Sequence, residues 1–264
     1  MSAAVLKLGG SVITDKSADQ PLLRRDRLDA LAAELASLPS EKRPRALVHG
    51  AGSFGHLIVS RTRIHERVKT QADRMAWAET QILQNELNVS VCRALLAVGI
   101  PAIPHQASAG VTLRDKVIEG FFSEAVTALV AEGLVPVLYG VPAVDLSGGC
   151  SILSGDLLAP RLAGELGCDL VVYGTDVDGV FDADPRQSPG AKQVARINRE
   201  NWEAVRTGLG GSASVDVTGG MAAKVAELVA WAKRGIAARI VDATRPGRVA
   251  AALRGESVGT LIEW

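Results

Sequence analysis

Short β-type apolar runs alternate with longer helical stretches along the whole sequence, and this alternation limits the fold more than any other feature. The run 5–8 stops at Gly9-Gly10, and 26–38 carries Leu28, Leu31 and Leu35 at helical spacing. The run 45–48 ends at His49-Gly50, followed by a helical region, with possible breaks, over 62–98. Further strands are predicted at 101–104, 134–139, 170–173 and 238–242, and further helices at 157–166 and 221–234. Strand, turn and helix repeated in this order predict an α/β fold with a mostly parallel central sheet covered on both faces. Ligands of such sheets bind at the carboxyl ends of the strands, so the loops after Leu8, Val48, Tyr139 and Tyr173 are the places to look for chemistry. A turn-rich stretch at Ser147-Gly148-Gly149 marks a boundary, and 182–219 reads as loops plus a small hairpin.

Composition narrows the partners. Twenty-nine basic and 29 acidic residues leave no formal net charge, which argues against nucleic acid or an anionic membrane as the main partner. No apolar run approaches the ~20 residues of a membrane-spanning helix. The N-terminal apolar stretch is interrupted too early, by Lys7 and two glycines, to read as a signal peptide. Cys92, Cys150 and Cys168 are scattered, which fits buried thiols in a reducing cytoplasm better than a disulfide framework or a metal site.

Five loops carry the chemical signals. Lys7-Leu8-Gly9-Gly10-Ser11 pairs a cation with glycines whose amides can approach a phosphate; an ordinary strand–helix turn would look the same. It matches neither a Walker A loop nor a GxGxxG fingerprint. His49-Gly50-Ala51-Gly52-Ser53-Phe54-Gly55-His56 again follows a strand, and its glycines imply a close backbone approach. His56 stands where a helix could start and could donate to a phosphate, cap the helix or pack. Ser154-Gly155-Asp156 reads both as a helix N-cap and as a substrate contact. Thr175-Asp176-Val177-Asp178-Gly179-Val180 lacks EF-hand spacing and is better read as a nucleotide-binding turn. In 216–224, glycines precede a helix with Lys224 one turn inside, where helix terminus and ammonium both favour phosphate oxygens.

In this order the motifs resemble the amino acid kinase superfamily: KxGGS at the start, a glycine-rich second loop, TDVDGV, and TGGMxxK before a late helix. Within it, LKLGGSVITDK, HGAGSFGH, SGD and DVTGGMAAK are most similar to the isopentenyl phosphate kinases. One departure is Ala51, where that family commonly has glycine; alanine fits if the position does not need positive φ.

The resemblance implies an open αβα sandwich, with an acceptor-binding and dimerising lobe over 1–147 and an ATP-binding lobe over 148–264. It implies ATP with Mg²⁺ as cofactor, a small phosphate acceptor and a homodimer. Lys7, Lys16, His56, Asp156 and Lys224 would carry catalysis. Lys7, Leu8, Gly9, Gly10, Ser11, Gly52, Thr175, Asp176, Gly220 and Lys224 would bind ATP, while Ala51, His56 and Gly155 would bind the acceptor. An apolar pocket for an isoprenoid would draw on Met75, Trp77, Ile82 or Leu83. Rival readings are a fosfomycin kinase and a nucleotide sensor without turnover, though a sensor would need fewer cations than three lysines.

Overall fold

In a computed structural model, the chain is described over residues 3–183, 188, 190–209 and 220–264, with only the backbone of Gly220 and Met221 described. The first part of the chain supplies β1 (Ala4–Leu8), α1 (Gly10–Ile13), α2 (Arg25–Ala36), β2 (Ala46–His49), α3 (Ser53–Thr62), α4 (Gln71–Ala97) and β3 (Ala102–Pro104). Next come β4 (Val111–Arg114), β5 (Val117–Phe121), α5 (Glu124–Ala131), β6 (Val135–Tyr139), β7 (Val141–Asp145) and β8 (Gly149–Leu153). The remainder gives α6 (Gly155–Glu165), β9 (Leu170–Thr175), β10 (Val180–Phe181), β11 (Gln193–Val194), β12 (Arg196–Ile197), α7 (Trp202–Leu209), α8 (Gly220–Ala232), β13 (Ala237–Asp242), α9 (Arg248–Arg254) and β14 (Thr260–Ile262).

The main sheet has the order β12-β14-β13-β9-β1-β2-β6-β3 and is parallel except at the β13–β14 pair. Its central strand β1 is buried at every position, as a strand covered on both faces must be. The two-residue period then sorts its side chains. Ala4, Leu6 and Leu8 join the core shared with α2, α4 and α9, and Val5 joins the opposite core, shared with α6 and α8. Lys7 follows Val5's parity and so emerges on the α6 side.

The 147–149 turn is the tip of the β7–β8 hairpin, and β1 pairs with β9, so the sheet runs unbroken from one expected lobe to the other. The small hairpin expected within 182–219 involves β10 and β11 and begins slightly earlier; the third glycine loop, 216–219, lies outside the described residues.

Two expectations need correction. The helical region expected at 62–98 is one helix, α4, entered through a non-helical interval at 63–70, and a separate helix, α3, precedes it. α3 starts at Ser53 and ends where Arg63 adopts a left-handed conformation, φ 55°. α4 restarts at a capping box, in which Thr70 Oγ accepts from the Asp73 amide and the Asp73 carboxylate accepts from the Thr70 amide. The second correction is an addition: β5-β4-β7-β8 form a separate four-stranded sheet that the sequence reading did not foresee.

Candidate active site

Lys7 projects from β1 into the buried space beneath the N-terminus of α6. Its ammonium lies 2.7 Å from one oxygen of Asp156 and 5.8 Å from the centre of the Tyr173 ring. Lys224, on α8, approaches the other Asp156 oxygen at 3.6 Å. One carboxylate thus ties a sheet cation to a helix cation. Burial lowers the pKa of Lys7; Asp156 opposes this, while Lys224 and Lys16 push the same way. For Asp156, burial favours the neutral acid, but Lys7 and Lys224 outweigh it and hold the carboxyl below its ordinary value. Its place in the first turn of α6 adds the favourable end of the helix dipole. Ser154 is the N-cap, its hydroxyl accepting from the Leu157 amide at 3.2 Å.

Two glycine loops meet backbone to backbone beside this cluster. A side chain at Gly10 would collide with the backbone of Gly52, and Gly52 itself has φ 52°. Part of the glycine signal is therefore explained by packing of loop on loop. Gly155 leaves room for Lys7: a β-carbon there would stand 3.4 Å from Lys7 Cε and 3.3 Å from Val48 Cγ1. Ala51 is not among the non-glycine residues with positive φ, which are Arg63, Asp115 and Lys116. Alanine in place of the family's glycine is therefore accommodated.

The other predicted residues fall around this centre to different degrees. Lys16 is exposed, yet close enough for its charge to act on Lys7. Gly9 and Ser11 are half-buried at the start of α1. Leu8 points into the core, and its carbonyl accepts from the Gly50 amide at 2.9 Å. His56 sits in the first turn of α3 with an exposed side chain. Thr175 closes its own turn, its hydroxyl donating to the Val177 carbonyl at 2.8 Å, and Asp176 is exposed beside it. Gly220 opens α8. Asp178 belongs to the scaffold: it accepts from the Asp242 amide and pairs with Arg245 and Arg248. Ile82 faces outward on α4, 58% exposed, and Met75 is 61% exposed. Trp77 and Leu83 instead pack on the small cluster of Ile58, Ile64 and Ala76 between α3 and α4.

Several site residues escaped the sequence reading. A cavity of about 360 Å³ is lined by Asp156 and Lys224 together with His65, Lys116, Ser151 and Ser154. Lys116 comes from the β4–β5 turn and His65 from the loop after α3; neither stands near a glycine motif. Beneath the second loop, buried His49 stacks on Tyr139 with ring centres 5.5 Å apart. His49 Nδ1 lies 3.0 Å from the Gly50 carbonyl, and Nε2 lies 3.2 Å from the Asn88 amide nitrogen. A neutral ring donating from Nδ1 satisfies both contacts. Burial pushes the His49 pKa down to about 4. Among the described residues, no group of three or more His, Cys, Asp or Glu is arranged to hold a metal.

Comparison with known proteins gives the family. The profile of the amino acid kinase family matches residues 2–242. An isopentenyl phosphate kinase from Methanothermobacter thermautotrophicus is 38% identical over 267 residues, covering 98% of each chain. One from Haloferax volcanii is 37% identical and covers 99% of each. A crystal structure of an isopentenyl phosphate kinase superposes with a TM-score of 0.83 at 35% identity, over 98% of this chain and 99% of the other.

Proposed function

The chain belongs to the amino acid kinase family, and from that premise we infer that it transfers the γ-phosphoryl group of ATP to isopentenyl phosphate, giving isopentenyl diphosphate and ADP. The choice of acceptor is carried by full-length likeness to isopentenyl phosphate kinases. An oxygen of the acceptor phosphate attacks the γ-phosphorus. The bond to the β–γ bridging oxygen breaks, and ADP leaves with that electron pair. The acceptor oxygen is already anionic, so no base has to remove a proton. The protein's task is to hold two repelling anions together and to neutralise the group in flight.

Lys7, Lys16 and Lys224 serve the transferring phosphoryl group and the ATP tail, with Asp156 orienting Lys7 and Lys224. Gly9, Gly10, Ser11 and Gly52 line the triphosphate, while Thr175, Asp176 and Gly220 serve the nucleotide. His56 and the amides around Ala51 and Gly155 hold the acceptor phosphate. The apolar cluster beside α3 suits a short isoprenoid tail. Mg²⁺ would arrive on ATP and neutralise phosphate charge; the Asp156 carboxylate is already held by two ammoniums, so the protein adds no cage of its own. On this reading 1–147 takes the acceptor and 148–264 the nucleotide, in a cytoplasmic enzyme.

A homodimer is supported by α4. Met75, Ile82, Val89 and Leu96 recur every seventh residue along this 27-residue helix, and three of them are strongly exposed. A second copy crossing antiparallel near Val89 would set Glu86 of each helix against Arg93 of the other, burying the stripe with opposite charges beside it.

An ADP-release assay with isopentenyl phosphate, dimethylallyl phosphate, fosfomycin, glutamate and UMP tests the reading. The highest kcat/KM is expected with isopentenyl phosphate; preference for fosfomycin or glutamate overturns it.

A further inference from the structure

The β4–β5 hairpin turns on two residues, Asp115 and Lys116, with φ of 50° and 68°. Consecutive left-handed residues are the primed turn that suits hairpin twist, and it favours asparagine and glycine. Lysine there is strained, and nothing in the hairpin rewards it: the local ion pair joins Arg114 to Glu119. The strain is held in place from outside. Buried Asp145, on β7, accepts from the amides of Asp115 at 3.2 Å, Lys116 at 2.9 Å and Ser147 at 2.9 Å. One carboxylate thus buckles two hairpins together and fixes where the Lys116 side chain begins. Strained backbone held by its surroundings is common at functional sites.

Lys116 lines the 360 Å³ cavity that holds Asp156 and Lys224. A neighbouring cavity of about 450 Å³ shares His65, Lys116 and Ser151 with it. Lys116 therefore stands where the two spaces join. His65 is there as well, mostly buried, its Nδ1 without a hydrogen-bond partner. A cation and an unsatisfied imidazole nitrogen, brought from two separate loops to one opening, suit a ligand with several anionic oxygens.

We propose that Lys116 and His65 form a second phosphate-binding wall of the transfer site, contacting the phosphoryl oxygens of the organic monophosphate acceptor and of the diphosphate made from it. This rests on the kinase reading above. The strained turn is then retained for its side chain, and the Asp145 buckle sets the depth of the opening.

Lys116→Gly removes the cation and relaxes the turn, so the variant folds at least as well as the parent; Lys116→Asn serves the same purpose with a residue that tolerates this conformation. Steady-state kinetics with isopentenyl phosphate should show the acceptor KM raised at least tenfold in both, with the ATP KM within twofold and the melting temperature not lowered. Lys116→Arg should recover most of the loss. An acceptor KM within twofold of the parent in both variants overturns the proposal. Should the parent protein release no ADP with isopentenyl phosphate, the acceptor reading fails and calorimetric titration with inorganic pyrophosphate decides. Affinity at least fivefold weaker in Lys116→Gly upholds the phosphate wall. Equal affinity, or no binding to either protein, overturns it.

Discussion

Lys224 reaches Asp156 from a helix, and Lys7 reaches it from the central strand, so the two cations are not equivalent to the fold. Lys7 is 5% exposed, and its loss would leave the half-buried Asp156 carboxylate short of a partner. Lys224→Ala leaves Asp156 paired with Lys7, so its effect should fall on turnover. A lowering of kcat by about 10²–10³, or ~2.7–4 kcal/mol of barrier, is expected with little change in melting temperature; unchanged kcat removes Lys224 from the site. His56→Ala should weaken isopentenyl phosphate binding while sparing a non-hydrolysable ATP analogue, and His56→Gln should recover part of the loss because its amide still donates. Paired titrations check this, and equal weakening of both ligands would show His56 to be a packing residue. His49 gives a prediction in pH. Its pKa falls from 6.5 to about 4 on burial. As pH drops, the unfolded chain takes up the proton first, so this contribution is intact above 6.5 and is lost between 6.5 and about 4, amounting to about 3 kcal/mol. Urea midpoints at pH 7.5 and 4.5 should differ less in His49→Gln than in the parent; the same difference in both would contradict it.

Local pattern reveals an element only where its turn chemistry is ordinary. Glycine after β1 and β2 made those loops legible, although the glycines also serve contact between the loops. The β4–β5 hairpin turns on Asp-Lys, which carries no glycine signal, and its sheet went unread. The end of α3 was hidden in the same way, because Arg63 takes the left-handed position that glycine usually marks. Lys116 and His65 sit on these two unread segments. The interval between α3 and α4 also settles the apolar candidates. Trp77 packs on Ile58 and Ile64 and donates to the Pro142 carbonyl at 3.3 Å, while Ile82 faces away. Trp77→Ala should therefore raise kcat/KM for longer isoprenyl monophosphates such as geranyl phosphate relative to isopentenyl phosphate. Stability should fall by no more than about 3 kcal/mol, the lower end for a fully buried tryptophan. A lower melting temperature with unchanged chain-length preference would make Trp77 a core residue only.

At the scale of the whole molecule, the α4 stripe predicts that Ile82→Glu combined with Val89→Glu converts a dimer to a monomer, as read by light scattering after gel filtration. A monomeric parent would refute the pairing. The same scale gives the position of β1 a second meaning. Its neighbours are β2 and β9, and Ala4 pairs with Leu170. Contacts so distant in sequence close slowly, because loop entropy must be overcome before they contribute. During synthesis the amino-terminal strand can lie against β2 early, but its other edge stays open until β9 leaves the ribosome. Until then Lys7 has neither Tyr173 beside it nor Lys224 opposite. β1 is made long before β9 can seal its second edge, and a nascent chain halted before residue 170 carries an unsealed sheet edge, a natural target for chaperones that hold exposed strands.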